Sequence, residues 1–462
     1  MGNTLFKPKF WKMLPSSSVV IILGCTGTGK SKLGIELAKK FNGEIISADS
    51  MQVYKGLDIV TNKVTPEEQK EAVHHLINCV DPLSRYTVVD FRNKALPLIY
   101  RLLKENKMPI IVGGTNYYIE SLLWEVLVNP QEEGNKLLWD EERQNENKLS
   151  EDSLNFSDIS LLLQQKITQD SVHDVPNDIL HKALQQVDPD MANTLHPRDR
   201  RKVIRSLQVY QQHGRTHSEI LAKQRSQDGG STLGGPLRFK NSVMLWLQCD
   251  KEVLERRLND RVDDMIKRGL VDELLGFHKC YNEKRLASEK PSYTEGIFQS
   301  IGFKEFHEYL ILPEEKRNDT SGKKALDKAI EDMKLRTRQY ARKQVKWIIN
   351  RFLRKPDRQV PPVYGLDATN LDLWKENVLD PSAEIVQAVK KNQIPSQKPL
   401  PLLESLQNMP ETYYCEVCDR IFVGRRTWEI HINSKKHSKR KASLKKADKN
   451  AKEQKIPLCN TP

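Results

Sequence analysis

The chain has 462 residues, of which 38% are hydrophobic, only 7% aromatic and 29% charged, with a formal net charge of +13. That length allows two or three domains with a substantial core, and the composition leaves room for solvated tail or linker. No apolar run approaches the roughly 18 residues of a membrane span, and seven scattered cysteines without a secretory signal ahead of them point to a reducing compartment rather than a disulfide framework.

Residues 1–17 read as an N-terminal extension. Lys7, Lys9 and Lys12 stand there with no acid before Glu36, a weak likeness to a mitochondrial presequence that lacks its arginines, and Met13 offers a second start. The expectation is a cytoplasmic and mitochondrial protein, with the nucleus as a further compartment.

The apolar run 19–23 predicts a buried parallel strand, and 32–41 repeats its apolar residues at helical spacing. Between them Gly24-Cys25-Thr26-Gly27-Thr28-Gly29-Lys30-Ser31 fits the G-x-x-x-x-G-K-[ST] phosphate loop. Such a loop points successive backbone N–H groups and a helix N-terminus at an anion, adds the Lys30 charge, and offers the Ser31 hydroxyl to Mg²⁺. A di- or triphosphate ligand is therefore expected.

A second run, 44–48, leads into Asp49-Ser50-Met51-Gln52; a third, 109–112, ends in Gly113-Gly114-Thr115; a fourth, 243–247, follows a long polar section. Their alternation with helical stretches predicts an α/β fold, a P-loop NTPase-like parallel sheet flanked by helices, with function at the C-terminal strand ends. Asp49 then emerges beside the phosphate loop, where a carboxylate can ligate Mg²⁺ through water, orient a sugar or take a proton. Gly113-Gly114 stands where a nucleotide hydrolase would end a strand in aspartate, which weakens an ATPase reading.

The core is read as 18–128 and 237–355, interrupted by an inserted helical domain at 129–236 with a helix over 200–212. The polar stretch 131–157 has no assigned role. Residues 356–410 read as linker, 411–439 as a C-terminal C2H2 zinc finger and 440–462 as a basic disordered tail. Arg257 and Arg261, four apart on a predicted helix, could clamp a leaving phosphate together, an arrangement also found in small-molecule kinases. Over 336–352 one helix face is apolar while Arg336, Arg342, Lys343 and Lys346 occupy the other, and Arg200, Arg201, Lys202 and Arg205 repeat the pattern. Residues 435–455 add ten Lys or Arg against two acids. Together these favour a nucleic-acid partner. Cys415-x₂-Cys418-x₁₂-His431-x₅-His437 has the ligand types and intervals of a tetrahedral Zn²⁺ site, with Tyr413, Phe422 and Trp428 placed for its small apolar core.

Residues 24–31, 49–59 and 112–118 closely resemble the tRNA dimethylallyltransferase (isopentenyltransferase) family. Segments 184–191 (LQQVDPDM), 201–208, 296–305 (GIFQSIGFKE) and 338–344 extend the likeness across roughly 18–355, and the finger resembles that of eukaryotic members. The resemblance implies transfer of a dimethylallyl group from its diphosphate to N6 of adenosine 37, next to the tRNA anticodon. Asp49 would be the base, with Thr26 and Arg261 as the other catalytic residues. Thr26, Gly27, Thr28, Gly29, Lys30 and Ser31 would hold the diphosphate, with catalytic Mg²⁺ on Ser31. The tRNA path, a channel between the core and the inserted domain, would be lined by Asp49, Ser50, Met51, Gln52, Thr115, Lys202, Ile204, Arg205, Ser206, Leu207, Gln208, Gln299, Ser300, Ile301, Gly302 and Lys304. Arg338, Arg342, Lys343 and the finger would hold the anticodon stem-loop. Structural Zn²⁺ would sit on Cys415, Cys418, His431 and His437. The expected partners are tRNA and dimethylallyl diphosphate, with no membrane and a monomeric chain. A P-loop nucleoside or small-metabolite kinase is the alternative, which leaves the finger and tail without a role.

Overall fold

The computed structural model describes residues 18–125, 159–354, 358–404 and 411–453, apart from 169–170, 227, 232–233, 284–285, 287–292 and 294. The N-terminal extension and the polar stretch 131–157 lie outside the described residues. The chain divides into two compact units, 1–149 with 228–404, and 150–227 with 405–462.

The first unit is built on a parallel sheet. Its strands are β1 (Val19–Gly24), β2 (Gly43–Ser47), β3 (His74–His75), β4 (Met108–Val112), β5 (Ser242–Gln248) and β6 (Val363–Asp367), in the order β3-β2-β4-β1-β5-β6. Ile21 of β1 pairs with Ile111 and Met244 on its two sides. Because side chains alternate across a strand, β1 serves both faces. Val19, Ile21 and Leu23 pack with Phe91 and Ile99 from the helix Val88–Lys104. Val20 and Ile22 pack with Leu33 and Leu37 from the helix Lys30–Phe41 and with Ile385 and Val386 from Asp380–Lys390. A separate aromatic core, with Phe277, Phe298, Phe303 and Phe306, joins the 50–60 loop to the helices Lys251–Lys267, Leu270–Phe277 and Thr320–Ile348. No described helix is long and apolar enough to cross a membrane.

Four of the six strands match the apolar runs. The other two escape that signal. β3 is two histidines long and pairs with Ile45 and Ile46, too short and polar to register as a run. β6 lies inside 356–410, so that stretch is not simply linker: prolines flank a segment whose Val363, Tyr364 and Leu366 are buried beside β5 and followed by the helix Asp380–Lys390.

In the second unit the helices Asn177–Val187, Pro189–Thr194, Arg200–His213 and His217–Arg225 enclose Leu180, Leu184, Val203, Ile204 and Leu207. The antiparallel hairpin β7 (Thr412–Cys415) and β8 (Arg420–Val423) and the helix Arg425–Ile432 form the finger. Thr412 Oγ1 donates to the Asn193 carbonyl at 3.0 Å, and the His196 ring to the Ile421 carbonyl at 3.0 Å, so the finger is tied to these helices. The basic tail differs from expectation. It continues as the helix Lys435–Glu453, rich in the good helix formers Lys and Ala.

Candidate active site

The phosphate loop connects β1 to the helix Lys30–Phe41. Gly27 and Gly29 have φ of 90° and 86°, the left-handed region where a side chain is strained, and this lets the loop wrap around its own amides. The helix that follows has Gly29 at its N-terminus and ends on Lys39 and Lys40, so its dipole favours an anion at the loop. Lys30 Nζ donates to the Cys25 carbonyl at 2.9 Å. Burial pushes its pKa down to about 8, and the nearby Arg261 cation pushes the same way. Thr28 is buried, and its Oγ1 donates back to the Cys25 carbonyl at 2.9 Å, so its contribution to an anion is its backbone N–H.

A cavity of about 490 Å³ opens over the loop, lined by Thr26, Gly27, Gly29, Lys30 and Ser31, and by Asp49 and Arg261. Asp49 follows β2 directly. Its Oδ1 accepts the Met51 N–H at 2.9 Å and the Gln52 N–H at 3.4 Å, which fixes the carboxylate and leaves Oδ2 uncommitted among the described residues. Gln52 in turn donates to the Thr61 and Asn62 carbonyls, and the buried Lys63 ammonium reaches the Tyr54 and Gly56 carbonyls, Asp58 and Asn78 at 2.6–2.8 Å. The turn behind the carboxylate is therefore rigidly tied.

In the same lining, Arg261 Nη1 donates to Thr26 Oγ1 at 2.8 Å. Burial holds this guanidinium's pKa below its ordinary value. Arg257 does not join it. Its fork is spent on the Ala368 and Thr369 carbonyls at 2.7 and 2.5 Å, because those carbonyls lie just beyond β6 and face its side of the helix. Among the described residues, Arg261 alone of the arginines lines the cavity at the phosphate loop.

The long helix Thr320–Ile348 supplies cavity residues that sequence reasoning missed: Thr337, Tyr340 and Gln344. Gln344 is 4% exposed; its Oε1 accepts the Thr26 N–H at 2.9 Å and its Nε2 donates to the Gly114 carbonyl at 3.0 Å. One carboxamide thus couples the phosphate loop to the end of β4. Burial raises the Tyr340 phenol well above its usual range. Gly113 is required there, since a Cβ would lie 2.1 Å from the Ala48 carbonyl oxygen. The signal was present in the i, i+3, i+7 spacing of 337, 340 and 344, but the basic residues on the opposite face dominated the pattern.

The residues expected to line a tRNA path fall into three groups. Ser50, Met51, Gln52, Gln299, Ser300 and Ile301 line the cavity, and Ser300 Oγ, on a residue only 3% exposed, has no partner among the described residues. Thr115 is not a lining residue; its Oγ1 accepts the Ser50 N–H at 2.9 Å. Gly302 is buried at φ 110° with its N–H on Glu305, while Lys304 is exposed. Arg338 donates to Asn259, Arg342 pairs with Glu255 at 2.6 Å, and Lys343 is exposed. In the second unit Ile204 and Leu207 belong to the apolar core and present no surface to an RNA, a correction that follows from their helical spacing with Val203. Ser206 Oγ bonds the His217 ring at 2.9 Å, Gln208 donates to the Ile167 carbonyl, Lys202 pairs with Asp199, and Arg205 is half-buried.

In the finger, the ligand atoms of Cys415, Cys418, His431 and His437 all lie within 4.8 Å of one another. His437 Nδ1 is 3.6 Å from each sulfur, the separation that tetrahedral Zn²⁺ bonds would produce, and His431 Nε2 is buried without a hydrogen-bond partner among the described residues. Tyr413 stacks on Trp428 at 5.5 Å and Phe422 on His431 at 4.0 Å. The tetrad suits Zn²⁺.

Residues 52–351 match the family model described as IPP transferase. The chain belongs to that family. Residues 17–78 also match a model described as isopentenyl transferase, and 412–438 one described as zinc-finger double-stranded RNA-binding. Among curated members of the family, the tRNA dimethylallyltransferase of Homo sapiens is 48% identical over 437 residues, 94% of this chain and 88% of that one. The corresponding protein of Saccharomyces cerevisiae is 34% identical, covering 94% of both chains. A solved eukaryotic dimethylallyltransferase acting on tRNA superposes with a TM-score of 0.74 at 31% identity, over 96% of this chain and all of that one.

Proposed function

We propose that this protein is a tRNA dimethylallyltransferase that transfers the dimethylallyl group of dimethylallyl diphosphate to N6 of adenosine 37, beside the anticodon. The observation that carries this reading is that Asp49 and the hydrogen-bonded Thr26–Arg261 pair line one cavity together with the phosphate loop. An exocyclic adenine amine is a poor nucleophile because its lone pair is delocalised into the ring. Asp49 Oδ2 accepts the N6 proton as the N6–C1 bond forms, while the C1–O bond breaks and diphosphate leaves. Backbone amides of residues 27–31, Lys30 and Arg261 receive the charge that develops on the departing oxygen, and Thr26, held by Arg261, lies nearest the reacting end. The Ser31 hydroxyl is a hard oxygen donor lining the cavity and suits Mg²⁺, which when bound would neutralise part of the diphosphate charge. The target base must leave its stack to reach Asp49. The finger and the exposed basic faces supply phosphate contacts to the anticodon stem-loop, the reaction needs one chain, and the basic N-terminal stretch fits division between cytoplasm and mitochondrion, with the nucleus as a further compartment.

Purified protein with Mg²⁺, undermodified tRNA and labelled dimethylallyl diphosphate should place label on adenosine 37. Phosphate transfer from ATP to a small metabolite, with no label entering tRNA, would overturn the assignment.

Lys30 gives this reading a pH signature. The buried ammonium titrates at about 8 in the free protein and must be charged to meet a diphosphate. Affinity for inorganic diphosphate should therefore hold steady just below pH 8 and fall above it by up to about tenfold per pH unit, because binding then takes up a proton. Calorimetry between neutral and alkaline pH checks this, and Lys30→Met should bind more weakly with the alkaline fall-off removed.

A further inference from the structure

Each glycine of the phosphate loop is covered by something different. A Cβ on Gly24 would meet Thr28 and Leu247, one on Gly27 would lie 2.9 Å from Leu258, and one on Gly29 would lie 2.7 and 2.9 Å from two ring atoms of Trp374. The first two covers come from the loop itself, a sheet strand and an adjoining helix. Trp374 comes from the stretch between β6 and the helix Asp380–Lys390, far along the chain. It is 4% exposed, its Nε1 donates to Glu36 at 2.8 Å, and Lys32 Nζ lies 4.7 Å from the ring centroid. The indole thus grips the first turns of the helix whose N-terminus aims at the cavity, without lining the cavity.

The same stretch also holds the opposite side of the anion site. The Ala368 and Thr369 carbonyls take the Arg257 fork, and Thr369 Oγ1 accepts the Asp250 N–H at 2.9 Å, where the helix carrying Arg261 begins. Residues 363–374 therefore brace both the phosphate loop and the Arg261 helix from behind.

We propose that Trp374 is a positioning residue for diphosphate. Its ring fixes Gly29 so that the amides of Gly29, Lys30 and Ser31 are already aimed at the cavity when the donor arrives. A glycine-rich loop left uncovered would have to lose backbone freedom at each binding event, and that cost would appear in donor affinity. None of residues 363–374 lines the cavity, and tRNA affinity is therefore expected not to depend on this brace. The inference rests on the reading of the loop as the diphosphate site.

Direct calorimetry with inorganic diphosphate and Mg²⁺, together with steady-state kinetics, separates the two ideas. Wild type that binds no diphosphate defeats the reading of the loop itself. With wild-type binding established, Trp374→Ala should raise both the diphosphate Kd and the donor KM roughly tenfold, with the tRNA KM within about twofold and kcat within about threefold of wild type. Trp374→Phe, which keeps a ring over Gly29, should recover most of the loss. Trp374→Leu fills the space without a flat face and should raise the diphosphate Kd at least about threefold, which keeps the question answerable should the alanine variant not fold. Unchanged diphosphate affinity in the leucine variant, equal losses for donor and tRNA, or a phenylalanine variant no better than leucine would each overturn the brace.

Discussion

Asp49→Asn lowers kcat by about 10²–10⁴-fold while tRNA binds within about threefold of wild type, since loss of a positioned general base carries a penalty of that size. The substitution is chosen because the asparagine oxygen can still accept the Met51 and Gln52 N–H groups that hold Oδ1. The turn after β2 stays in place and only the proton acceptor is lost. Asp49→Ala also removes the anchor of that turn, so its effect on turnover should be at least as large and accompanied by a higher KM for tRNA. Single-turnover measurement with saturating donor isolates the chemical step. Turnover of Asp49→Asn within about tenfold of wild type would remove Asp49 as the base, and would turn attention to Glu68, the other described carboxylate lining the cavity, whose Oε2 accepts the Thr65 N–H at 2.8 Å.

What the sequence made legible depended on how local each device is. The phosphate loop is eight contiguous residues between a strand and a helix, and Asp49 sits at a strand end, so both could be placed from pattern and class of fold. The zinc tetrad is confined to 23 residues and was equally readable. By contrast, Gln344 meets Thr26 across 318 residues of chain, and Trp374 meets Glu36 across 338. Neither side chain carries a motif of its own. A buried glutamine on a basic amphipathic helix looks like any polar position, and a tryptophan between proline-flanked stretches looks like part of a linker. β3 and β6 escaped for the same reason, since their pairing partners rather than their own composition make them strands. Arg257 shows the converse error. Its spacing from Arg261 was real, but spacing on one helix says nothing of the carbonyls that a distant segment brings to it. Ile204 and Leu207, implied as RNA contacts by resemblance, were also apolar residues at core spacing, and the core prevailed.

The second large effect belongs to Arg261. Arg261→Ala is expected to lower kcat by about 10²–10³-fold, the scale seen when one charged or hydrogen-bonding group is taken from a developing anion in a water-poor site. Part of the loss comes from Thr26, whose Oγ1 would no longer be fixed by the guanidinium at 2.8 Å. Arg261→Lys should recover little, because a lone ammonium cannot present one nitrogen to Thr26 and another to a diphosphate oxygen in the same fixed plane. A purely structural role would give a similar loss of turnover, so the discriminating measurement is the pH profile of diphosphate binding. The Arg261 cation is one of the groups that hold Lys30 down near 8. Its removal should let the Lys30 ammonium titrate at higher pH, moving the alkaline fall-off in diphosphate affinity upward while the affinity at neutral pH drops. A fall-off that stays in place, with wild-type diphosphate affinity at neutral pH, would place Arg261 outside the anion site and leave the leaving group to the loop and Lys30.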